Sequence, residues 1–387
     1  MNAIYLDNNA TTRATDEVIE AMARCEREQF GNPSSLHRVG QAARHAVETA
    51  RQDVAKLMGA RPHDVVFTSG GTESDNLAIL GTLAAYPTRR HVVTSAVEHV
   101  AVHSLGERLE KDGYRVTRVG VDAAGALNLD ELESAIGDDT AIVSMMHANN
   151  ETGVLFPIRR VAEIVSARGT VLHVDAVQTV GRIAVDVADL GANLLSASAH
   201  KMHGPKGAGA LYVGRRTRLR SQLMGGHQER DIRPGTQNVA AIVGFGVAAR
   251  RAREWIGDGS WGRVAGLRDR LEREIHRRVP CASVIGDPAH RVPNTSNIAF
   301  ESLEAEAILI ALSEEGLCAS SGSACSSGSL EPSHVLKAMG IEQRVAHGAI
   351  RFSLSVDTTD EEIDAALEIV PRVIGRLSGS APNRRDA

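Results

Sequence analysis

Residues 90–119, RHVVTSAVEHVAVHSLGERLEKDGYRVTRV, carry a short β-branched run at each end and a longer amphipathic run between them. RHVVTS (90–95) and YRVTRV (114–119) read as strands, and 99–112 reads as a helix. A strand, a helix and a second strand in that order form a unit whose strands lie parallel. The same alternation extends to both sides. DVVFTS (64–69), AIVSMMH (141–147), VLHVDA (171–176) and GALYVG (209–214) read as strands, and 73–84 and 158–168 as helices. An α/β fold follows, with a largely parallel sheet covered by helices on both faces.

After about residue 240 the pattern changes. Two long charged helices, 237–257 and 260–279, precede the strand NTSNIAF (294–300) and a helix at 303–316. A serine- and glycine-rich loop, the strand AIRFSLS (349–355) and a helix near 359–376 follow. The chain therefore divides into a large domain, 16–255, and a smaller α+β domain, 256–378, which the extended residues 1–15 rejoin. Residues 379–387 read as a disordered tail. No internal repeat is evident.

A net charge of −5 over 387 residues argues against a nucleic-acid or anionic-membrane binder, and 43% hydrophobic residues suffice for a sizeable core. The basic run GRRTRLR (214–220) reads as a solvated face. MNAIYLDNNATT has no apolar core fit for a signal peptide, and no run is long enough to span a membrane. A cytoplasmic, reducing location is expected, without disulfides. Of Cys25, Cys281, Cys318 and Cys325, only the last two are close, and their spacing matches no common zinc pattern, so no metal is expected.

In open α/β sheets ligands gather beyond the carboxyl ends of the strands. After VVFTS comes GGTESDN (70–76), where helix N–H groups could hold a phosphate. Read alone, Thr72 as N-cap with Asp75 closing a capping box is the better explanation. His99, after the next strand, could lay a flat ring on a ligand or simply fill space. Asn150, in the turn NNETG (149–153), offers an amide. Asp175 ends an apolar run, where a carboxylate is costly without a positive partner, and Gln178 follows. SASAHKMHGPKGAGAL (196–211) then places Lys201 among small residues at another strand end, beside Ser198 and His200. A lysine so placed can form a Schiff base with a carbonyl. Phosphate donors, a flat ring, an acid for a ring nitrogen and this lysine together describe a pyridoxal 5'-phosphate site.

YLDNNATT, FGNPSSLH, SGGTESDN, NNETG, HVDAVQ, SAHKMHGPKG, RPGTQN and SSGSACSSGS together resemble the cysteine desulfurases, from about Tyr5 to Ser355. That resemblance implies a type I pyridoxal-phosphate fold, aspartate-aminotransferase-like, with a mostly parallel seven-stranded sheet and a smaller α+β domain. GGHQER (225–230), GSLEPSHV and AHGAIRFSLS resemble the nitrogen-fixation branch. The longer C-terminal extension of housekeeping members is not seen here, which argues against the housekeeping branch.

Residue by residue, the resemblance implies that Lys201 carries the cofactor and takes the substrate's Cα proton. Asp175 pairs with the ring nitrogen, and His99 stacks on the ring. Gln178 and Asn150 address the ring oxygen or the substrate. Gly71, Thr72, Ser198 and His200 bind the phosphate. Thr236 reaches the phosphate of a partner subunit, implying a homodimer. Arg351 clamps the substrate carboxylate; on position alone it could equally be a surface ion pair. Cys325, on a loop read as mobile, takes sulfur from L-cysteine as a persulfide and leaves alanine. An ordinary thiol, with a pKa of about 8.5, is mostly protonated at neutral pH, so its thiolate must be favoured near the site. The acceptor is expected to be an iron–sulfur scaffold or another sulfur-acceptor protein. Service to tRNA or DNA thiolation, housekeeping cluster assembly, selenocysteine lysis, transamination, and a carrier without catalysis are the competing readings.

Overall fold

The computed structural model describes residues 3–321 and 333–380. Strand β1 (Ile4–Tyr5) opens the chain. The main sheet uses β2 (Val65–Thr68), β3 (His91–Ser95), β4 (Arg115–Val119), β5 (Thr140–Met146), β6 (Val171–Asp175), β7 (Leu194–Ser198) and β8 (Gly209–Val213). Its seven strands run in the order β2-β8-β7-β6-β5-β3-β4. β3 to β7 pair parallel, and β8 runs antiparallel to both β2 and β7.

The alternation of side chains explains the two-sided cover. In β2, Val65 and Phe67 join one buried cluster with Phe245 and Val161, while Val66 joins the opposite one with Leu77 and Ile142. Phe245 comes from the helix Val239–Gly257, which packs on the helices Asp16–Glu28 and Arg38–Leu57. Leu77 comes from Gly71–Ala85, which lies across β5 to β8 and buries residues nearly all round.

β9 (Ala282–Ile285) and β10 (Thr295–Phe300) belong to a second, antiparallel sheet. β11 (Leu317–Cys318) pairs in parallel with β1, and β12 (Ala349–Ser353) completes the second sheet in the order β12-β10-β9. Helices Ser260–Arg278 and Asp360–Ser380 pack together beside it. The segment after β1 runs between the two sheets. Asn9 Nδ2 donates to Thr295 Oγ1 (2.8 Å) on one side, and Thr12 N to His200 O (2.9 Å) on the other.

Two expectations change. β7, LLSAS, was not among the strands expected, because small residues rather than β-branched ones fill its buried faces. The last helix runs through Ser380, so residues 379 and 380 belong to it rather than to a tail; 381–387 lie outside the described residues.

Candidate active site

The parallel strands end side by side, and β3, β5, β6 and β7 end at or lead into His99, Asn150, Asp175 and Ser198. After β2 the chain enters the helix Gly71–Ala85 directly, with Ser74 N bonded to Gly70 O (3.1 Å). The first-turn N–H groups of a helix have no intrahelical acceptor. A Cβ on Gly209 would come within 2.6 Å of the Gly70 backbone, so only glycine permits this approach of β8. Ser198, at the end of β7, is buried, and its Oγ has no hydrogen-bond partner among the described residues. A Cβ on Gly70 would lie 3.9 Å from that Oγ. A helix N-terminus beside an unsatisfied buried hydroxyl suits a phosphate.

The capping box expected of Thr72 and Asp75 does not form. Thr72 is exposed, and Glu73 accepts instead from Ser69 N at 2.7 Å. Asp75 is buried, 3.6 Å from His173 Nε2. His173 is itself held by Ser144 Oγ (2.8 Å) and Ser196 Oγ (2.9 Å), and burial drives its pKa down to about 3. It is neutral, and burial together with Asp175 raises the pKa of Asp75.

Lys201 follows β7 through a short helical turn. Its Nζ donates to Asn9 O (2.5 Å) and Ala10 O (2.8 Å), so the N-terminal segment forms one wall. Asp175 accepts from Val177 N at 3.0 Å. Burial raises its pKa, against the opposing pull of His99, the Val177 N–H and Lys201. His99 caps the helix Val100–Lys111, its Nδ1 accepting from Ala101 N at 3.2 Å. That bond leaves the proton of the neutral ring on Nε2. Burial lowers the His99 pKa, Asp175 opposes it, and Lys201 adds to it. His200 meets Thr11 Oγ1 at 3.2 Å, and burial helped by Lys201 takes its pKa down to about 4.

Arg351 is not a surface ion pair. It is 3% exposed on β12, donating from Nη2 to Asp7 Oδ1 (2.7 Å) and from Nη1 to Asn150 O (3.1 Å). Its Nε has no partner among the described residues. Gln178 donates from Nε2 to Asn9 O at 3.2 Å. Asn9, Lys201, Gln178, Asn150 and Arg351 therefore form one connected set. Thr236 is exposed, and among the described residues no hydrogen bond joins it to that set. Cys325 lies outside the described residues.

Sequence reasoning missed Asp7, Glu98 and Arg182. Glu98 is fully buried, accepting from Ser95 Oγ (2.6 Å) and Met146 N (3.0 Å), and burial raises its pKa to about 8. The signal for it was present, since a glutamate directly before His99 in SAVEHV has no place on an apolar strand end unless buried and bonded.

The residues present fit pyridoxal phosphate. The orphaned Ser198 hydroxyl and the first turn of Gly71–Ala85 suit its phosphate, buried Asp175 suits a protonated ring nitrogen, and Lys201 can join its aldehyde.

Comparison with known proteins agrees. Residues 4–366 match the aminotransferase class-V family. The chain is 52% identical to the cysteine desulfurase NifS of Azotobacter vinelandii, over 99% of this chain and 95% of that protein. It is 49% identical to a cysteine desulfurase of Trichormus azollae, over 100% and 96% of the two chains. A solved NifS-like protein superposes with a TM-score of 0.91 at 38% identity, over 97% of this chain and 100% of the other. SspA in complex with cysteine gives 0.78 at 32% identity, over 90% and 98%.

Proposed function

The chain belongs to the aminotransferase class-V family, as a pyridoxal-phosphate-dependent cysteine desulfurase, and from that premise we propose how its residues divide the work. When bound, pyridoxal phosphate supplies an electron sink for the charge left at Cα once its proton departs. Gly71, Thr72, Ser198 and His200 hold the phosphate. Asp175, buried at the end of β6, keeps a proton on the ring nitrogen through the negative charge of its carboxylate. His99 covers the ring, and Gln178 and Asn150 address the ring oxygen and the substrate. Arg351 takes the carboxylate of L-cysteine, its planar fork suiting two oxygens. Lys201 Nζ moves the proton at Cα.

Cys325 receives the sulfur. Its thiolate attacks the sulfur of the substrate, an S–S bond forms, and the sulfur–Cβ bond breaks. The electron pair stays on Cβ, which takes a proton and leaves as part of alanine. The protein keeps a persulfide, with no outside oxidant. One observation carries this reading: Ser320, five residues before Cys325, is bridged to Arg351 through both backbone groups (2.7 and 3.2 Å). The segment bearing the thiol thus departs from the residue assigned to the substrate carboxylate.

The persulfide passes to an iron–sulfur scaffold or similar acceptor in the cytoplasm, and the 52% identical relative named NifS supports a nitrogenase-related client. No helix among the described residues is long and apolar enough to cross a membrane. A homodimer completes the site through Thr236. Phe30 (73% exposed), Leu36 (86%) and Met224 (92%) lie in the two segments that bound a cavity of about 600 Å³ lined by Pro33, Arg51, Gly226, Glu229 and Gln237. Covering those side chains with a second copy would remove apolar surface from water.

The test is to supply L-cysteine and a thiol acceptor to the purified holoenzyme and to measure alanine against acceptor-bound sulfur. Equal amounts are expected. Release of pyruvate and ammonia, or no alanine, would overturn the assignment.

A further inference from the structure

Arg182 is 2% exposed, and its guanidinium meets only carbonyl oxygens among the described residues. Nη1 donates to Gln178 O (3.2 Å) and to Gln178 Oε1, and Nη2 donates to Asn8 O (3.3 Å). Other buried guanidinium groups here meet carboxylates: Arg51 with Glu229 (2.7 Å), Arg351 with Asp7 (2.7 Å), Arg291 with Glu272 (2.5 Å). A cation buried without an acid is costly. Such a group persists where the charge has work to do at a neighbouring site.

The local chain explains the placement. β6 ends at Asp175, and the next residues turn tightly, with Val180 N bonded to Ala176 O (2.9 Å) and Arg182 N to Thr179 O (3.0 Å). Gly181 adopts φ +87°, and a Cβ there would come within 2.8 Å of Met202 Cβ. Trp261 Nε1 donates to Gly181 O at 3.0 Å and closes the turn from outside. The result sets Gln178 and Arg182 side by side, both against the N-terminal segment at Asn8 and Asn9.

This contact gives the Gln178 amide one orientation. Its oxygen faces a guanidinium, so its NH2 group must face the other way, toward Asn9 O, the carbonyl that also receives Lys201 Nζ. Rotated by half a turn, the amide would set donors against donors. One amide hydrogen is used on Asn9 O, and the other remains to be given.

We propose that Arg182 is a positioning residue: it holds the Gln178 amide with its NH2 toward the anionic ring oxygen of the cofactor and places an uncompensated positive charge behind that bond. The proposal rests on Gln178 addressing the ring oxygen, as assigned above. Burial, with Arg351 adding to it, lowers the Arg182 pKa to about 9, which leaves it cationic at neutral pH.

The experiment is a pH titration of the visible absorbance of the bound cofactor in resting holoenzyme, without substrate. Arg182→Met should move the midpoint upward by about one unit, roughly ten-fold in proton affinity, since a nearby cation disfavours the protonated chromophore. Gln178→Ala should also move it upward. The double variant should move it by less than the sum of the two single shifts, and Arg182→Lys, which keeps the charge, should move it less than Arg182→Met. If Gln178→Ala leaves the midpoint unchanged, the Gln178 assignment fails. If Gln178→Ala shifts it but Arg182→Met does not, or if the two shifts add, the role of Arg182 is overturned. Should Arg182→Met not fold, Arg182→Gln removes the charge while keeping a donor, and the same outcomes apply.

Discussion

Asp7 Oδ1 accepts from Arg351 Nη2 at 2.7 Å, and that pair joins the N-terminal segment to β12. A substrate carboxylate binding to Arg351 would compete with or rearrange this pair. Charge-assisted bonds to arginine contribute about 1.5–3 kcal/mol each. Arg351→Ala should therefore raise KM for cysteine by roughly 10- to 100-fold. Cofactor affinity should stay close to that of the parent. Steady-state kinetics with a parallel cofactor titration checks this, and an unchanged KM would send the carboxylate site elsewhere.

Lys201→Ala should abolish the absorbance of the lysine-linked cofactor and lower alanine release by about 10²–10⁴-fold, the range a positioned proton carrier supplies. Asp175→Ala should keep the lysine link and still lose most activity, because a buried acid no longer holds the ring proton. Absorbance and alanine measured on the same samples separate the two effects.

How much of this was legible before the structure depends on where each residue sits in the chain. Asp175 ends β6 and His99 comes shortly after β3, so reading strand ends found them, whereas Lys201 follows the unexpected β7 and was found from its setting among small residues in SASAHKMHGPKG. Asp75 misled because the helix Gly71–Ala85 lies across the middle of the sheet and buries nearly all its sides. Polar residues in such a helix look like caps in sequence. Asp7 was silent because its partner Arg351 lies 344 residues away, and Arg182 because nothing local marks its burial against Asn8, 174 residues away. Cys25, Cys281 and Cys318 gave no functional signal, and Cys318 sits in β11 paired with Tyr5.

Glu98 gives a pH signature. Its pKa is raised to about 8 in the folded protein, chiefly by burial, so the native state binds a proton that the unfolded chain releases near pH 4.3. Its stabilising contribution is full below the unfolded pKa and is lost as pH rises through the folded one. Stability should fall between about pH 5 and 8, by at most about 1.4 kcal/mol per unit. Glu98→Gln keeps an acceptor for Ser95 Oγ and Met146 N and should flatten that slope. Denaturant titrations of both proteins at several pH values would show it, and parallel slopes would refute it.

Glu229 tests the loop that presents Thr236. Glu229, Arg230 and Asp231 all adopt left-handed backbone (φ 45°, 58° and 61°), at roughly 1–2 kcal/mol each. The Glu229 carboxylate anchors them, accepting from Arg51 Nη1 and Nη2 (2.7 and 2.8 Å), Phe67 N (2.9 Å) and Gln237. Breaking one side of such a buried pair costs about 3–5 kcal/mol. Glu229→Ala should lower Tm by several degrees and weaken cofactor binding, because the loop would no longer hold Thr236 toward a partner subunit. A lower Tm with unchanged cofactor affinity would confine Glu229 to stability and remove Thr236 from the phosphate site.

Cys325→Ser tests the sulfur acceptor. In the proposed division of work, cofactor and substrate binding fall to Lys201, Asp175, Ser198 and Arg351, none of which depends on the thiol, so the variant should bind both and change the cofactor spectrum when cysteine is added. Sulfur transfer should stop, since a hydroxyl is a far weaker nucleophile toward sulfur and cannot store it as a persulfide. Cys318 should not replace it: it is held in β11, with its backbone O bonded to Leu6 N at 2.8 Å. Cys25 is buried in a helix and Cys281 is partly buried, and burial raises the pKa of both thiols, so neither is primed as a thiolate. Mass spectrometry after brief exposure to cysteine without reductant should find one added sulfur on the peptide containing Cys325, and none in the serine variant. Sulfur on Cys25, Cys281 or Cys318, or parent-rate desulfuration by Cys325→Ser, would show that another group takes the sulfur.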